Sequence, residues 1–117
     1  MAFLEIKNVA VRGISACVPK TIVENVIDLF TFHQANLFMN EKIRAKLKIA
    51  LEKVPYSLQE YGNTSYASIP LTMVTRSAEK LKGQKVSHIA CWFGVGLSWG
   101  AVHFSTENVI IPQLIEM

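Results

Sequence analysis

Charge is scarce in this chain: Asp, Glu, Lys and Arg make up 18% of its 117 residues, and 12 cations stand against 9 acidic groups. So slight a basic excess does not argue for a nucleic-acid partner. Cysteine is scarcer still. Cys17 and Cys91 lie far apart, without the close spacing of a metal site or a redox dithiol, so reduced thiols in a cytoplasmic protein are expected, with no metal and no cofactor. The N-terminus lacks the charged, then apolar, then small-residue order of a secretory leader. Gly, Pro or a charge interrupts each apolar run before the ~18 residues that a membrane span needs, so no transmembrane helix is expected.

What the chain has in quantity is apolar side chains, 50% of its residues. That is more apolar surface than one modest core hides, and part of it is expected to face another layer of protein. The apolar positions are patterned. "FLEIKNVAVRGISACVP" (Phe3 to Pro19) is rich in β-branched residues and closes on Pro19, the pattern of a strand that can bulge at Gly13. "VIDLFTF" (Val26 to Phe32) is a nearly unbroken apolar run, as expected of a strand buried on both faces. From Asn36 the period lengthens: Met39, Ile43 and Leu47, followed by Ala50 or Leu51, recur at helical spacing among charged residues and predict an amphipathic helix. "SYASIPLTMVTRSAEKL" predicts one further helix, with N-cap chemistry from Thr64 and Ser65 and a stop at Gly83. "KVSHIACWFGVG" and "LSWGAVHFSTENVII" predict two strands joined through glycine, with Pro112 ending the last regular segment. The order β, β, α, α, β, β predicts a layered α/β fold, a mixed sheet with covering helices on both faces.

Several side chains sit where chemistry concentrates in such folds. His33 follows an apolar strand and precedes a helix, at the carboxyl end of the sheet where ligands collect; a lone histidine there is more often one satisfied by a backbone carbonyl. Asn63 lies in Gly-Asn-Thr-Ser, which alone reads as a turn capping the next helix, yet a side-chain amide at that place can also donate to a developing oxyanion, as a neutral imidazole can. "FGVGLSWG" (Phe93 to Gly100) lacks the following helix of a dinucleotide fingerprint. It reads as a tight hairpin needing positive backbone angles, or as a loop whose N–H approaches a substrate. Cys17 precedes a proline turn and Cys91 lies in an apolar run; both read as inert thiols. Lys42, Arg44, Lys46 and Lys48 form a basic run that is usually only a solvated face but can receive an acidic partner. His88 and His103 stand inside strand patterns and read as structural.

Taken together, "FHQAN", "YGNTSYASIPL" and "FGVGLSWGA" resemble, in order, the histidine motif, the asparagine motif and the C-terminal glycine-rich hairpin of the thiolase-fold condensing enzymes, most closely β-ketoacyl-acyl-carrier-protein synthase III. "VAVRGISACVPKTIVEN" is similar to that family's first strand. The resemblance implies a partial thiolase-like layered fold, with residues 1–25 as an N-terminal strand segment and 26–117 as a C-terminal subdomain. It implies an acyltransferase of fatty-acid or related lipid biosynthesis, catalysing decarboxylative Claisen condensation of an acyl thioester with malonyl-acyl carrier protein. His33 and Asn63 resemble the pair that stabilises the enolate oxygen, and Gly96 resembles the glycine whose backbone N–H shares the oxyanion hole. Phe32 resembles a packing residue near the pocket. No residue matches the nucleophilic cysteine, because the family's central region would fall between Asn25 and Val26. The chain alone is therefore expected to be inactive. The implied partners are acyl-CoA or acyl carrier protein thioesters, the carrier by way of Lys42, Arg44, Lys46 and Lys48, and a second copy or a longer homologue; a non-catalytic fragment or subunit is the alternative.

Overall fold

The computed structural model describes residues 27–94, 96 and 98–115. The strand expected at Phe3 to Pro19, its Gly13, and Cys17 lie outside the described residues. The first described strand, β1 (Leu29–Phe32), is followed by α1 (Leu37–Lys46), a 3-10 turn at Leu51–Lys53, α2 (Leu58–Tyr61), a second 3-10 turn at Ser65–Ala67, α3 (Ser68–Arg76), α4 (Ala78–Gly83), β2 (Val86–Gly94) and β3 (Ser98–Thr106). The strands form a mixed sheet in the order β1-β2-β3, β1 parallel to β2 and β2 antiparallel to β3.

Every residue of β1 is buried, as its unbroken apolar run predicts, and its side chains divide between the two faces with period two. Phe30 and Phe32 pack on one face with Ile49, Val54 and the half-buried Ile43 of α1; Leu29 packs on the other with Leu81 of α4, Val86 and Met73 of α3. This is the layered α/β arrangement, with helical segments on both sides of β1. Among the described residues the strand starts at Leu29, Val26 lying outside them, and Asp28 just before it is clamped to β2: its N–H donates to the Ser87 carbonyl at 2.9 Å and its carboxylate accepts from the Ser87 N–H at 2.8 Å.

Four expectations are corrected. Of the stripe Met39, Ile43 and Leu47 only Ile43 reaches the core, since Met39 and Leu47 are exposed while Asn40 is fully buried. Asn40 goes inward because its amide donates to the His33 carbonyl at 3.2 Å, so α1 is oriented by a polar anchor together with Ile43. The single helix expected from Ser65 to Gly83 is two, interrupted at Ser77 (φ −120°, ψ 4°), and the second piece thereby buries Leu81 completely. Neither Thr64 nor Ser65 caps with its side chain; Asn63 Oδ1 accepts from the Ser65 N–H instead, at 3.0 Å. Pro112 does not end a strand, because β3 stops at Thr106 and residues 107–115 run irregularly, bringing Val109 and Ile111 back against the Leu81 cluster. The β2–β3 connection is a tight hairpin with Gly96 at φ +81°. In it Gly100 faces the Trp92 indole so closely that a Cβ would overlap the ring.

Candidate active site

The sheet and α3 together make one open cleft of about 960 Å³, lined by His33, Asn63, Ser65, Tyr66, Ser68, Ile69, Trp92, Phe93, Gly94 and Ser98. His33 reaches it because β1 ends at Phe32; its N–H still donates to the Cys91 carbonyl at 2.7 Å, extending the parallel ladder by one bond. The ring meets Phe93 edge-on, centroids 5.7 Å apart, and Nδ1 lies 2.5 Å from Ser68 Oγ at the start of α3. A histidine held this way is pinned on one side and leaves Nε2 without a partner among the described residues.

Asn63 reaches the cleft through a turn that Gly62 permits with φ +65°. Its Oδ1 accepts from the Ser65 N–H, and since a backbone N–H can only donate, the accepting atom is the oxygen. The NH2 group is then the end of Asn63 that remains available. Two side chains 30 positions apart in sequence thus line one cleft, each with a donor-capable nitrogen to spare.

Beneath the site lies a buried polar layer. Gln34 donates from Nε2 to the Phe32 carbonyl at 2.8 Å and accepts from the Ser57 N–H at 3.1 Å; Ser57 Oγ meets Thr72 Oγ1 at 2.6 Å, and Thr72 donates onward to the Ser68 carbonyl at 2.7 Å. All four side chains are inaccessible or nearly so. A satisfied network of this kind holds the cleft's floor in one geometry.

Gly96 sits at the hairpin tip, and the lining of the cleft comes from its neighbours Gly94 and Ser98. Cys91 does not line the cleft: it packs against the Phe30 and Phe32 cluster, and burial pushes its thiol up, away from the reactive thiolate. Phe32 is a core residue, 1% exposed. His88 is buried with Nε2 2.6 Å from Thr31 Oγ1, and His103 is exposed with Nε2 2.9 Å from Ser87 Oγ. Of the basic run, Arg44 is engaged by Glu41 and by the Ile49 carbonyl at 2.9 Å, and Lys42 lies over the Phe38 ring; Lys46 and Lys48 are exposed. No group of three or more His, Cys, Asp or Glu side chains among the described residues is placed to hold a metal. Ser68 and Trp92 went unread as cleft residues: a serine opening a helix gives only a capping signal, and its histidine partner is 35 positions away.

Residues 20–106 match the family model for the C-terminal part of 3-oxoacyl-[acyl-carrier-protein (ACP)] synthase III. The chain belongs to that family. Among curated relatives, the β-ketoacyl-[acyl-carrier-protein] synthase III of Streptococcus sanguinis strain SK36 is 36% identical over 101 residues, covering 80% of this chain and 31% of the relative. That of Porphyra umbilicalis is 45% identical over 78 residues, covering 65% and 23%. Among solved structures, the 3-oxoacyl-(acyl-carrier protein) synthase of Burkholderia xenovorans LB400 superposes with a TM-score of 0.73 at 38% identity, covering 78% of this chain and 26% of that one. The chain thus spans less than a third of the ketoacyl synthase III relatives it matches. The sheet with helices on both sides is the thiolase-like architecture of that structure, seen in part. No described helix is long and apolar enough to cross a membrane.

Proposed function

We propose that this chain carries the enolate-stabilising half of a ketoacyl synthase III active site, from the decarboxylative condensation of an acyl thioester with malonyl-acyl carrier protein in fatty-acid or related lipid biosynthesis. The observation that carries the reading is the shared cleft of His33 and Asn63. When a malonyl thioester loses carbon dioxide, the electrons of the breaking C–C bond move toward the thioester carbonyl, and its oxygen gathers negative charge. Two nitrogen donors held on that oxygen stabilise the charge as it develops, each worth on the order of 10²–10³ in rate. The carbanion would then attack an acyl group carried on a cysteine sulfur, which leaves as thiolate. Neither cysteine suits that part, because Cys91 is half-buried against the core and outside the cleft lining, and Cys17 comes just before a proline turn. Gly96 is the third donor this reading assigns, through its main-chain N–H; its support is the resemblance of "FGVGLSWGA" to the family hairpin. Lys46 and Lys48 offer the exposed charge by which the same chain would receive an acidic acyl carrier.

A chimera tests the assignment. Residues 27–115 replace the matching segment of the Streptococcus sanguinis relative, which supplies the remainder of its own chain. The expected result is condensation of acyl-CoA with malonyl-acyl carrier protein, lost by at least about a hundredfold in His33→Ala and in Asn63→Ala. The isolated chain is expected to condense nothing. A folded chimera whose rate ignores both substitutions, or acyl transfer by the homogeneous chain itself, overturns the reading.

A further inference from the structure

We infer that Ser68 is a positioning residue that selects the neutral tautomer of His33, donating its hydroxyl proton to Nδ1 and so placing the ring's own proton on Nε2. The direction follows from counting what each atom can do. Ser68 is 1% exposed, and its Oγ has two partners among the described residues: the Gln34 N–H at 3.2 Å and His33 Nδ1 at 2.5 Å. The Gln34 N–H can only donate, so Oγ accepts there, and His33 Nδ1 is the one described acceptor left for the serine's proton. Were Nδ1 protonated instead, Oγ would accept twice and its own O–H would point, unpaired, into a buried site. Hydroxyl-to-imidazole donation therefore satisfies both groups, and the opposite tautomer satisfies one.

The serine is itself held. Thr72 Oγ1 donates to the Ser68 carbonyl, which obliges Ser57 Oγ to donate to Thr72, and the two bonds run one way through the buried layer toward α3. His33 is held too, by its N–H on the Cys91 carbonyl, by Asn40 on its own carbonyl and by the edge-on Phe93 ring. With both ends fixed, the tautomer is a property of the fold and not of whatever enters the cleft. Its catalytic consequence rests on the reading above: Nε2–H is the donor that an enolate oxygen would meet, whereas a bare Nε2 would repel that oxygen.

Nitrogen chemical shifts of the labelled imidazoles in the 117-residue chain, taken at a pH where the rings are neutral, read the tautomer directly. His33 is expected to show the Nε2–H pattern, with Nδ1 shifted to the unprotonated, accepting position. In Ser68→Ala the two nitrogen shifts should move toward one another as the second tautomer becomes populated, and Ser68→Thr should restore the separation. The His88 signals, unchanged, report that the variants remain folded. An Nδ1–H pattern in the unsubstituted chain overturns the inference without any variant, and so does a Ser68→Ala spectrum whose His33 shifts do not move. Failure of the chimera with an intact Nε2–H pattern would count against the proposed function alone.

Discussion

His88 shows what burial does to a histidine whose neighbours offer it one bond. The side chain is fully buried, its Nε2 lies 2.6 Å from Thr31 Oγ1, its face stacks on Phe104 with centroids 5.0 Å apart, and Nδ1 finds no partner among the described residues. Protonation would put a second N–H and a charge where nothing receives them. Desolvation, with a smaller push from Lys80, accordingly takes the group from its ordinary 6.5 down to about 4. Because the unfolded chain binds this proton more readily than the folded one, stability is complete above about 6.5 and falls as pH drops toward 4. The gap corresponds to about 3 kcal/mol. Urea unfolding at pH 7, 5.5 and 4 should show that loss, and His88→Gln should flatten it; an equally steep slope in the variant would assign the effect elsewhere. Glu41, which Arg44 and then Tyr56 hold down to about 2, stabilises fully above its ordinary value of 4.5 and loses that contribution only as pH falls from there toward 2, so most of its window lies below that of His88. At this scale the sequence is legible in part: His33 stands out because a strand ends in front of it, and His88 reads as structural because a strand runs through it. Ser68 does not stand out, since its role exists only once Gln34 and His33 have been folded against it.

At the scale of elements, α1 shows where pattern misleads. Asn36 is a readable start, and its Oδ1 accepts from the Met39 N–H at 3.2 Å. The end has no such signal. Lys48 takes φ +55°, a left-handed conformation in which Ile49 N–H donates to the Arg44 carbonyl at 3.0 Å and Lys48 N–H to the Ala45 carbonyl at 3.1 Å. This is the Schellman stop, usually built on glycine, and here its anchor is Ile49, buried in the Phe30 cluster. A lysine at that position gives no hint that a helix ends, which is why the apolar spacing reads straight on to Ala50 or Leu51. The left-handed angle costs a residue with a Cβ about 1 kcal/mol. Lys48→Gly should therefore raise stability by about 0.5–1 kcal/mol, a gain of a few degrees in Tm by calorimetry, despite glycine's larger unfolded-state entropy. No change, or a fall, would mean that the strain is relieved by neighbours. The break at Ser77 is illegible for a related reason: "MVTRSAEKL" has the composition of an uninterrupted helix, and only the demand to seat Leu81 against Leu29 and Val86 turns the chain there.

At the scale of the molecule, the apolar excess has a visible address. Tyr66 is 98% exposed, Phe38 71% and Leu51 59%, and β3 is largely exposed along its length, with Trp99 and Val102 among the half-exposed residues. One edge of β3 pairs with β2, and among the described residues the other edge pairs with no strand. An unpaired strand edge beside exposed aromatic and aliphatic side chains is a template for association, because it offers backbone hydrogen bonds and apolar burial at once. The fold class was legible through the alternation of strands and helices, but which strand would lie uncovered was not, since "SWGAVHFST" and "VSHIACWFG" have similar composition and only the second is sandwiched between neighbours. The purified chain should therefore self-associate. Sedimentation velocity from low to high micromolar concentration is expected to show a weight-average coefficient that climbs above that of a 13.1 kDa monomer. Val102→Lys, which sets a charge in the middle of the exposed strand without touching the cleft, should hold the chain monomeric over a wider range. A monomer at every concentration would overturn the prediction, and an associating chain indifferent to Val102→Lys would move the contact to the Phe38 and Leu51 surface.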